Sequence, residues 1–172
     1  MKILFSVFLL LQLPLMAATM KGKASEAKTK MEKEMRTSQL DDLIRGEMSA
    51  VSTYNQVLEK VKDKDERKTL NNFKQHHQTA VEKLKKFSTQ DVQEDTQSTG
   101  AWGTFTKTWT GGAKLFGDKA AMRALKQGEE HGIDEYEEAL KDENISSEVK
   151  DLIRSDLLPK QQNHLKKLNE FI

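Results

Sequence analysis

Two stretches of the chain resemble each other, and each combines a carboxylate with a phenol. "RGEMSAVSTY" contains Glu47 and Tyr54, and "QGEEHGIDEY" contains Glu129 and Tyr136. In both, the tyrosine follows the glutamate by seven residues, which places the two side chains on one face of a helix. Carboxylates ligate metals and accept hydrogen bonds, and a phenol can donate to them. The repeat therefore indicates a polar site built twice.

Two histidines stand in matching positions on other apolar stripes. Glu47, His77, Glu129 and His164 each have apolar residues three, four or seven positions away on the same helical face. Glu47 and His77 lie roughly 17 and 13 residues from the turn that joins their helices, so their heights differ by only about 6 Å. We therefore expect the four side chains to meet in one layer.

A buried carboxylate needs compensation, and the residues allow two kinds. A metal ion (iron, manganese or zinc) could be held by Glu47, Glu129, His77 and His164, with the two tyrosines hydrogen bonded around it. Alternatively, the same side chains form a metal-free hydrogen-bonded network that fixes the register of the helices. The residues leave both interpretations open.

Periodicity predicts four helices that would position these residues. They run from about Leu40 to Val61 with Ser38 as cap, from about Glu66 to Phe87, from just after Asp118 to about Leu140, and from Ser147, the expected cap, to Phe171. Pro159 should kink the last one, because proline lacks an N–H group. A crossover at about 88–118 carries Trp102, Phe105 and Trp109, which we expect to pack on the helices.

Composition excludes several classes of protein. The formal net charge of the 172 residues is +1, which argues against nucleic-acid binding, and the absence of cysteine excludes disulfides. No nucleophile elbow or phosphate-binding loop is present in the sequence. The motifs thus offer no parts for a hydrolase or a nucleotide-binding protein.

The beginning of the chain is typical of a secretory signal peptide. "MKILFSVFLLLQLPLMAA" has one lysine, a short apolar run and small residues. We predict a cleaved signal over 1–18, a flexible charged lead-in over 19–37 and a bundle over 38–172. The protein would then be periplasmic or secreted and would have no stable membrane span; an uncleaved anchor is the alternative. A homo-oligomer is compatible with the sequence.

Two Glu-x6-Tyr helices, each followed by a helix with an inward histidine, resemble the ferritin-like superfamily. The chain looks most similar to small uncharacterised bacterial four-helix bundles, classed as a domain of unknown function, with degenerate di-iron ligands. The resemblance implies an all-α, antiparallel four-helix bundle in which two hairpins are joined by a long crossover. It also implies a link to metal handling or envelope stress.

Two residues depart from the di-iron pattern of that superfamily. Lys74 and Gln161 precede His77 and His164 by three residues, where the pattern has glutamate. Lys74 would pair with Glu47 or Glu129 instead of a second cation. Oxidase chemistry is therefore disfavoured, and we expect one metal ion or none, in a bundle without clear catalytic activity. The alternative is a structural or protein-interaction bundle.

Overall fold

The protein is mainly helical in the part described by the computed structural model, which covers residues 13–89, 91–92 and 118–172. None of these residues lies in a β-strand. The helices are α1 (Leu13–Leu58), α2 (Lys64–Lys85), α3 (Asp118–Lys141), α4 (Ser147–Leu152) and α5 (Leu158–Phe171), and a π-helical turn (Ile153–Leu157) joins α4 to α5. Within the described ranges, no helix has the length and apolarity needed to cross a membrane.

The chain divides into two compact units, Met1–Arg36 and Thr37–Ile172. The described part of the first unit is helical from residue 13 onward. All residues of the candidate site belong to the second unit. The first twelve residues of the predicted signal peptide, and the crossover residues Trp102, Phe105 and Trp109, lie outside the described residues.

Helix α1 begins at Leu13, far earlier than the predicted start near Leu40. The added segment is rich in alanine, lysine, glutamate and methionine, which are strong helix formers. Ser38 lies inside the helix, so its predicted role as N-cap is wrong. The expected flexibility of residues 19–37 stays a prediction.

The turn between α1 and α2 is closed by side chains of α2 and its cap. Asp63 caps α2 and accepts hydrogen bonds from two backbone N–H groups of the first turn, each at 2.9 Å. Arg67 reaches back and donates to the carbonyl oxygens of Leu58 and Val61 at the end of α1. These contacts fix α1 and α2 as a hairpin with a short connection.

The last helix is interrupted where Pro159 was expected to kink it. The N–H group of Leu158 donates to the carbonyl of Ile153, five residues earlier, which is the π-helical pattern. Pro159 follows in the first turn of α5, where its missing N–H group costs little. Ser146, rather than the predicted Ser147, caps α4 by accepting from the N–H group of Val149.

Buried apolar side chains form two clusters. The first apolar cluster consists of Leu40, Leu43, Ile44, Ala80, Leu84, Val92, Tyr136, Ala139, Ile145, Val149, Ile153 and Leu157. The second apolar cluster consists of Tyr54, Val57, Leu58, Val61, Leu70, Phe73, Ala121, Met122, Leu125 and Leu168. Along each of α1, α2, α3 and the α4–α5 segment, members of one cluster precede members of the other, and a polar residue stands between them.

Candidate metal centre

Four polar side chains occupy the layer between the two apolar clusters. Glu47 of α1, His77 of α2, Glu129 of α3 and His164 of α5 are all buried, with exposed fractions of 6%, 3%, 0% and 1%. The structure therefore brings together the four residues that the apolar stripes singled out. Their role as metal ligands stays a prediction.

His77 lies at the centre of this layer and contacts both carboxylates. Its Nδ1 atom is 2.8 Å from Oε2 of Glu47, and its Nε2 atom is 3.0 Å from Oε1 of Glu129. Both ring nitrogens are engaged, so the imidazole is fixed in orientation. In metal-binding histidines, one ring nitrogen usually binds the metal and the other is hydrogen bonded to a carboxylate or another acceptor.

The two tyrosines bind the carboxylates crosswise. The Tyr54 hydroxyl donates to Oε1 of Glu129, and the Tyr136 hydroxyl donates to Oε1 of Glu47 at 2.6 Å. Each phenol thus donates a direct hydrogen bond to the glutamate of the other repeat. Because the two repeats exchange these contacts, the carboxylate and phenol that recur in sequence hold α1 and α3 together.

His164 completes the layer and lies between aromatic rings. Its Nδ1 atom is 3.3 Å from Oε1 of Glu129, although the geometry is not that of a hydrogen bond. Its ring stacks on Phe73 with centroids 4.1 Å apart. Its Nε2 atom is 2.8 Å from Nδ1 of His76, the residue adjacent to His77 in the chain.

The charges of the layer compensate one another in the metal-free protein. Burial by itself lowers the pKa of His77, but the Glu129 and Glu47 carboxylates outweigh it and raise that pKa to about 10. Burial would raise the pKa of Glu129, yet the neighbouring His77 and His164 hold it well below its ordinary value. Burial and the adjacent carboxylates raise the pKa values of Tyr54 and Tyr136, so both phenols stay protonated as donors.

Three of the four side chains have the geometry of a ligand set. His77, Glu129 and His164 each offer one ligand atom, and these atoms all lie within 4.8 Å of one another. Glu47 is not in this set, and its two oxygens contact Tyr136 and His77. The structure thus places Glu47 behind His77 and does not group it with the three potential ligands.

Several buried polar atoms at this point have no hydrogen-bond partner among the described residues. They are Oε2 of Glu129, Nδ1 of His164 and Oε1 of Gln161. Buried polar atoms are nearly always satisfied, and a water molecule or an ion could be the partner of these three atoms. A metal ion with bound water fits all three, since each is a lone-pair donor.

Gln161 and Lys74, which stand where the di-iron pattern has glutamates, differ from each other in burial and contacts. Gln161 is buried and lines a small cavity of about 10 Å³ together with Glu47, His77 and His164. Its amide packs on Gly132, where a Cβ atom would lie 2.0 Å from Nε2 of Gln161. Lys74 is half-buried, and neither glutamate pairs with it; the ion pairs of both are with histidines.

His76 contacts the site although it lies beside the apolar stripe of α2, a position typical of a solvated side chain. It is half-buried and contacts His164. Burial, followed by the charge of His164, lowers the pKa of His76. The adjacent pair His76–His77 is the feature of the sequence that indicates a role for His76 in the site, because neighbouring residues on α2 can reach two sides of the same layer. His131, by contrast, pairs with Glu135 at 3.0 Å within α3.

The metal-free protein should lose stability at both ends of the pH scale. Because the folded state raises the pKa of His77 from 6.5 to about 10, its contribution is fully present below pH 6.5 and is lost as the pH rises through about 10. Glu129 has a lowered pKa, so its contribution is present above its ordinary value of 4.5 and is lost as the pH falls. Urea denaturation at a series of pH values, in the presence of a chelator, measures the loss of stability at both acid and alkaline pH.

Glu47→Gln tests the loss of stability at alkaline pH, because it removes one of the charges that raise the pKa of His77. The loss of stability should then begin at a lower pH than in the wild type. If both proteins lost stability at the same alkaline pH, the Glu47 carboxylate would not be one of the charges that raise the pKa of His77.

Replacing Gly132 should disturb the site through Gln161. In Gly132→Ala the new methyl group occupies the space of the Gln161 amide, which must leave its position or force the helices apart. We expect a loss of about 1–3 kcal/mol in the free energy of unfolding, measured with urea. The double variant Gly132→Ala/Gln161→Ala restores the space and should recover most of it. Additive losses in the double variant would refute the contact.

Comparison with known proteins identifies one family. The family model described as "Domain of unknown function (DUF2383)" matches residues 35–142. No curated protein and no solved structure matches the chain. The matched segment contains Glu47, His77 and Glu129, whereas Gln161 and His164 lie beyond its end. Since the match spans more than half of the 172 residues, the chain belongs to this DUF2383 family.

Proposed function

We propose that the protein is an exported ferritin-like bundle that binds one divalent metal ion in its core through His77, Glu129 and His164. The observation that carries the proposal is the meeting of three buried ligand atoms from three helices within 4.8 Å. Unsatisfied atoms of Glu129 and His164 at the same point support it, because an ion would give both a partner.

The order of the apolar clusters along the helices supports the ferritin-like assignment. Helix α1 and the α4–α5 segment run from the first apolar cluster to the second, whereas α2 and α3 run from the second to the first. Two antiparallel hairpins whose middle helices run in the same direction need a long connection between α2 and α3. That connection is the crossover of about 88–118, and one such crossover is typical of ferritin-like bundles.

The donor set fits iron, manganese or zinc. Imidazole nitrogen and carboxylate oxygen bind all three, and the site contains no thiolate to favour a softer metal. Glu47 orients His77 through Nδ1, and Tyr54 orients Glu129, so two ligands are held before any ion arrives. A bound ion would neutralise the Glu129 carboxylate and join three helices.

The same geometry disfavours an oxidase. Ferritin-like di-iron centres use a glutamate from each of the four helices, and two of them stand where this chain has Lys74 and Gln161. The set of three potential ligands contains a single carboxylate, Glu129, which leaves no pair of carboxylates to bridge two irons. We therefore propose binding of the metal without turnover.

Export belongs to the proposal and rests on the composition of residues 1–18. Expression of the full chain in a bacterium should yield a periplasmic or secreted product that is cut near Ala18, which intact mass spectrometry of that fraction measures. Replacing Leu9 and Leu10 by lysine, which interrupts the apolar run, should leave an uncut chain in the cytoplasm. Recovery of full-length chain from the membrane fraction of wild-type cells would instead support an uncleaved anchor.

Metal content tests the central claim. Tag-free protein should contain close to one iron, manganese or zinc ion per chain, and chelation should lower its melting temperature. At a free-metal concentration of roughly 100 times the Kd, binding should stabilise the fold by about 2.7 kcal/mol. Glu129→Gln and His164→Ala should abolish binding. Tyr54→Phe should weaken it by roughly 10- to 100-fold, because it removes the bond that orients Glu129.

His131→Ala is the matched control, since His131 is half-buried on α3 and pairs with Glu135 outside the layer. It should bind metal as the wild type does. Protein without metal, whose melting temperature is the same with chelator and with added iron, manganese or zinc, would overturn the proposal. The layer would then act as a metal-free polar network that fixes helix register.

A further inference from the structure

A metal ion that binds at the proposed centre must reach side chains that are almost fully buried. The exposed fractions of Glu129, His164 and His77 are 0%, 1% and 3%, so none of the three presents its ligand atom to solvent. The small cavity of about 10 Å³ beside them has room for about one water molecule. An entry route must connect this inner cavity with the surface.

A groove on the surface adjoins the inner cavity at His76. The groove has a volume of about 360 Å³ and lies between α2 and α5, with Thr69, Asn72 and Gln75 on one side and Asn163 and Lys167 on the other. His76 lines both the groove and the inner cavity. Its side chain therefore forms part of the wall that separates them.

His76 is held in this closed position by His164. The Nδ1 atom of His76 is 2.8 Å from Nε2 of His164, and the two rings stack with centroids 5.1 Å apart and planes 10° apart. Unlike its neighbours in the layer, His76 is half-buried, so its ring can turn toward the groove without leaving a fully packed site. One hydrogen bond and one ring stack then separate the closed arrangement from an open one.

The charges along the route do not repel a cation strongly. Lys167 in the groove pairs with Glu170 at 2.8 Å, and Lys160 at the inner cavity pairs with Asp156 at 2.6 Å. Each lysine near the route thus has an acidic partner.

We infer that His76 is the gate of the metal centre and that ions enter and leave through the groove between α2 and α5. The inference rests on the proposed function, because a gate requires an ion that passes it. The imidazole closes the route while it is bonded to His164, and rotation of the ring into the groove opens it.

Rates of loading with Co²⁺ test this inference in the full chain. Metal-free protein is mixed with Co²⁺ in a stopped-flow instrument and the visible absorption of the bound ion is followed; excess chelator then gives the rate of release. His76→Ala should accelerate loading roughly tenfold, because the hydrogen bond and the ring stack no longer oppose opening. His76→Phe keeps a ring in the wall but loses the hydrogen bond to His164, so it should load more slowly than His76→Ala.

The loading rate distinguishes a gate from a residue that merely orients His164. Loss of an orienting bond weakens the bound state and raises the rate of release, but it leaves the rate of loading unchanged. His131→Ala, which alters neither the groove nor the inner cavity, is the control for the alanine substitution. Thermal melts of each variant establish that it is folded.

A second variant tests the route without touching the centre. Asn72 is exposed and lines the groove, so Asn72→Trp should narrow the route and slow both loading and release while leaving the Kd close to that of the wild type. Glu137→Trp, at an exposed position of α3 outside the groove, is its control. This variant keeps the test decisive if His76→Ala does not fold.

The outcomes separate the two proposals. If the wild type binds Co²⁺ but neither His76→Ala nor Asn72→Trp changes the loading rate, the gate is overturned and the metal site stands. If the wild type binds no Co²⁺, both the metal site and its gate are overturned. Faster loading in His76→Ala, or slower loading in Asn72→Trp, supports the gate.

Discussion

The structure depends on placing ionised groups between two apolar clusters without leaving them uncompensated. An isolated buried carboxylate or imidazolium would cost several kcal/mol, which is a large part of the stability of a domain of this size. His77 meets this constraint by contacting Glu47 and Glu129 at once, and each carboxylate also accepts a bond from a tyrosine. Removing any one of these partners would strand a buried charge, so the layer acts as a unit.

The crosswise bonds of the tyrosines explain why the Gly-Glu-x6-Tyr pattern occurs twice. If each phenol bonded to the glutamate of its own helix, the two repeats would be independent. Because Tyr54 donates to Glu129 and Tyr136 donates to Glu47, each repeat completes the other. The polar layer therefore specifies how α1 and α3 face each other, which apolar packing alone would leave less strictly determined.

Irregular backbone and close packing shape the side of the layer next to α5. The π-helical turn at Ile153–Leu157 precedes Pro159, and Leu157 lines the inner cavity together with Gln161 and His164. Because Gly132 has no side chain, the Gln161 amide occupies space that the side chain of any larger residue at position 132 would fill. Such π turns are frequent at functional sites because they alter the angle at which the following residues are presented. The groove, His76 and Gln161 lie on this side of the layer.

The sequence by itself determined the helical class and the identity of the four residues in the polar layer, because an ionisable side chain on an apolar stripe of period 3.6 turns inward with its neighbours. It also located the interruption at Pro159, since the missing N–H group is a local property. It did not determine the extent of α1, because a charged segment of strong helix formers shows no apolar periodicity to mark its limits. Only the tertiary structure decided that Glu47 lies behind His77, that the tyrosines bond crosswise and that His76 contacts His164. These facts depend on distances between helices far apart in the chain, and no spacing within one helix encodes them.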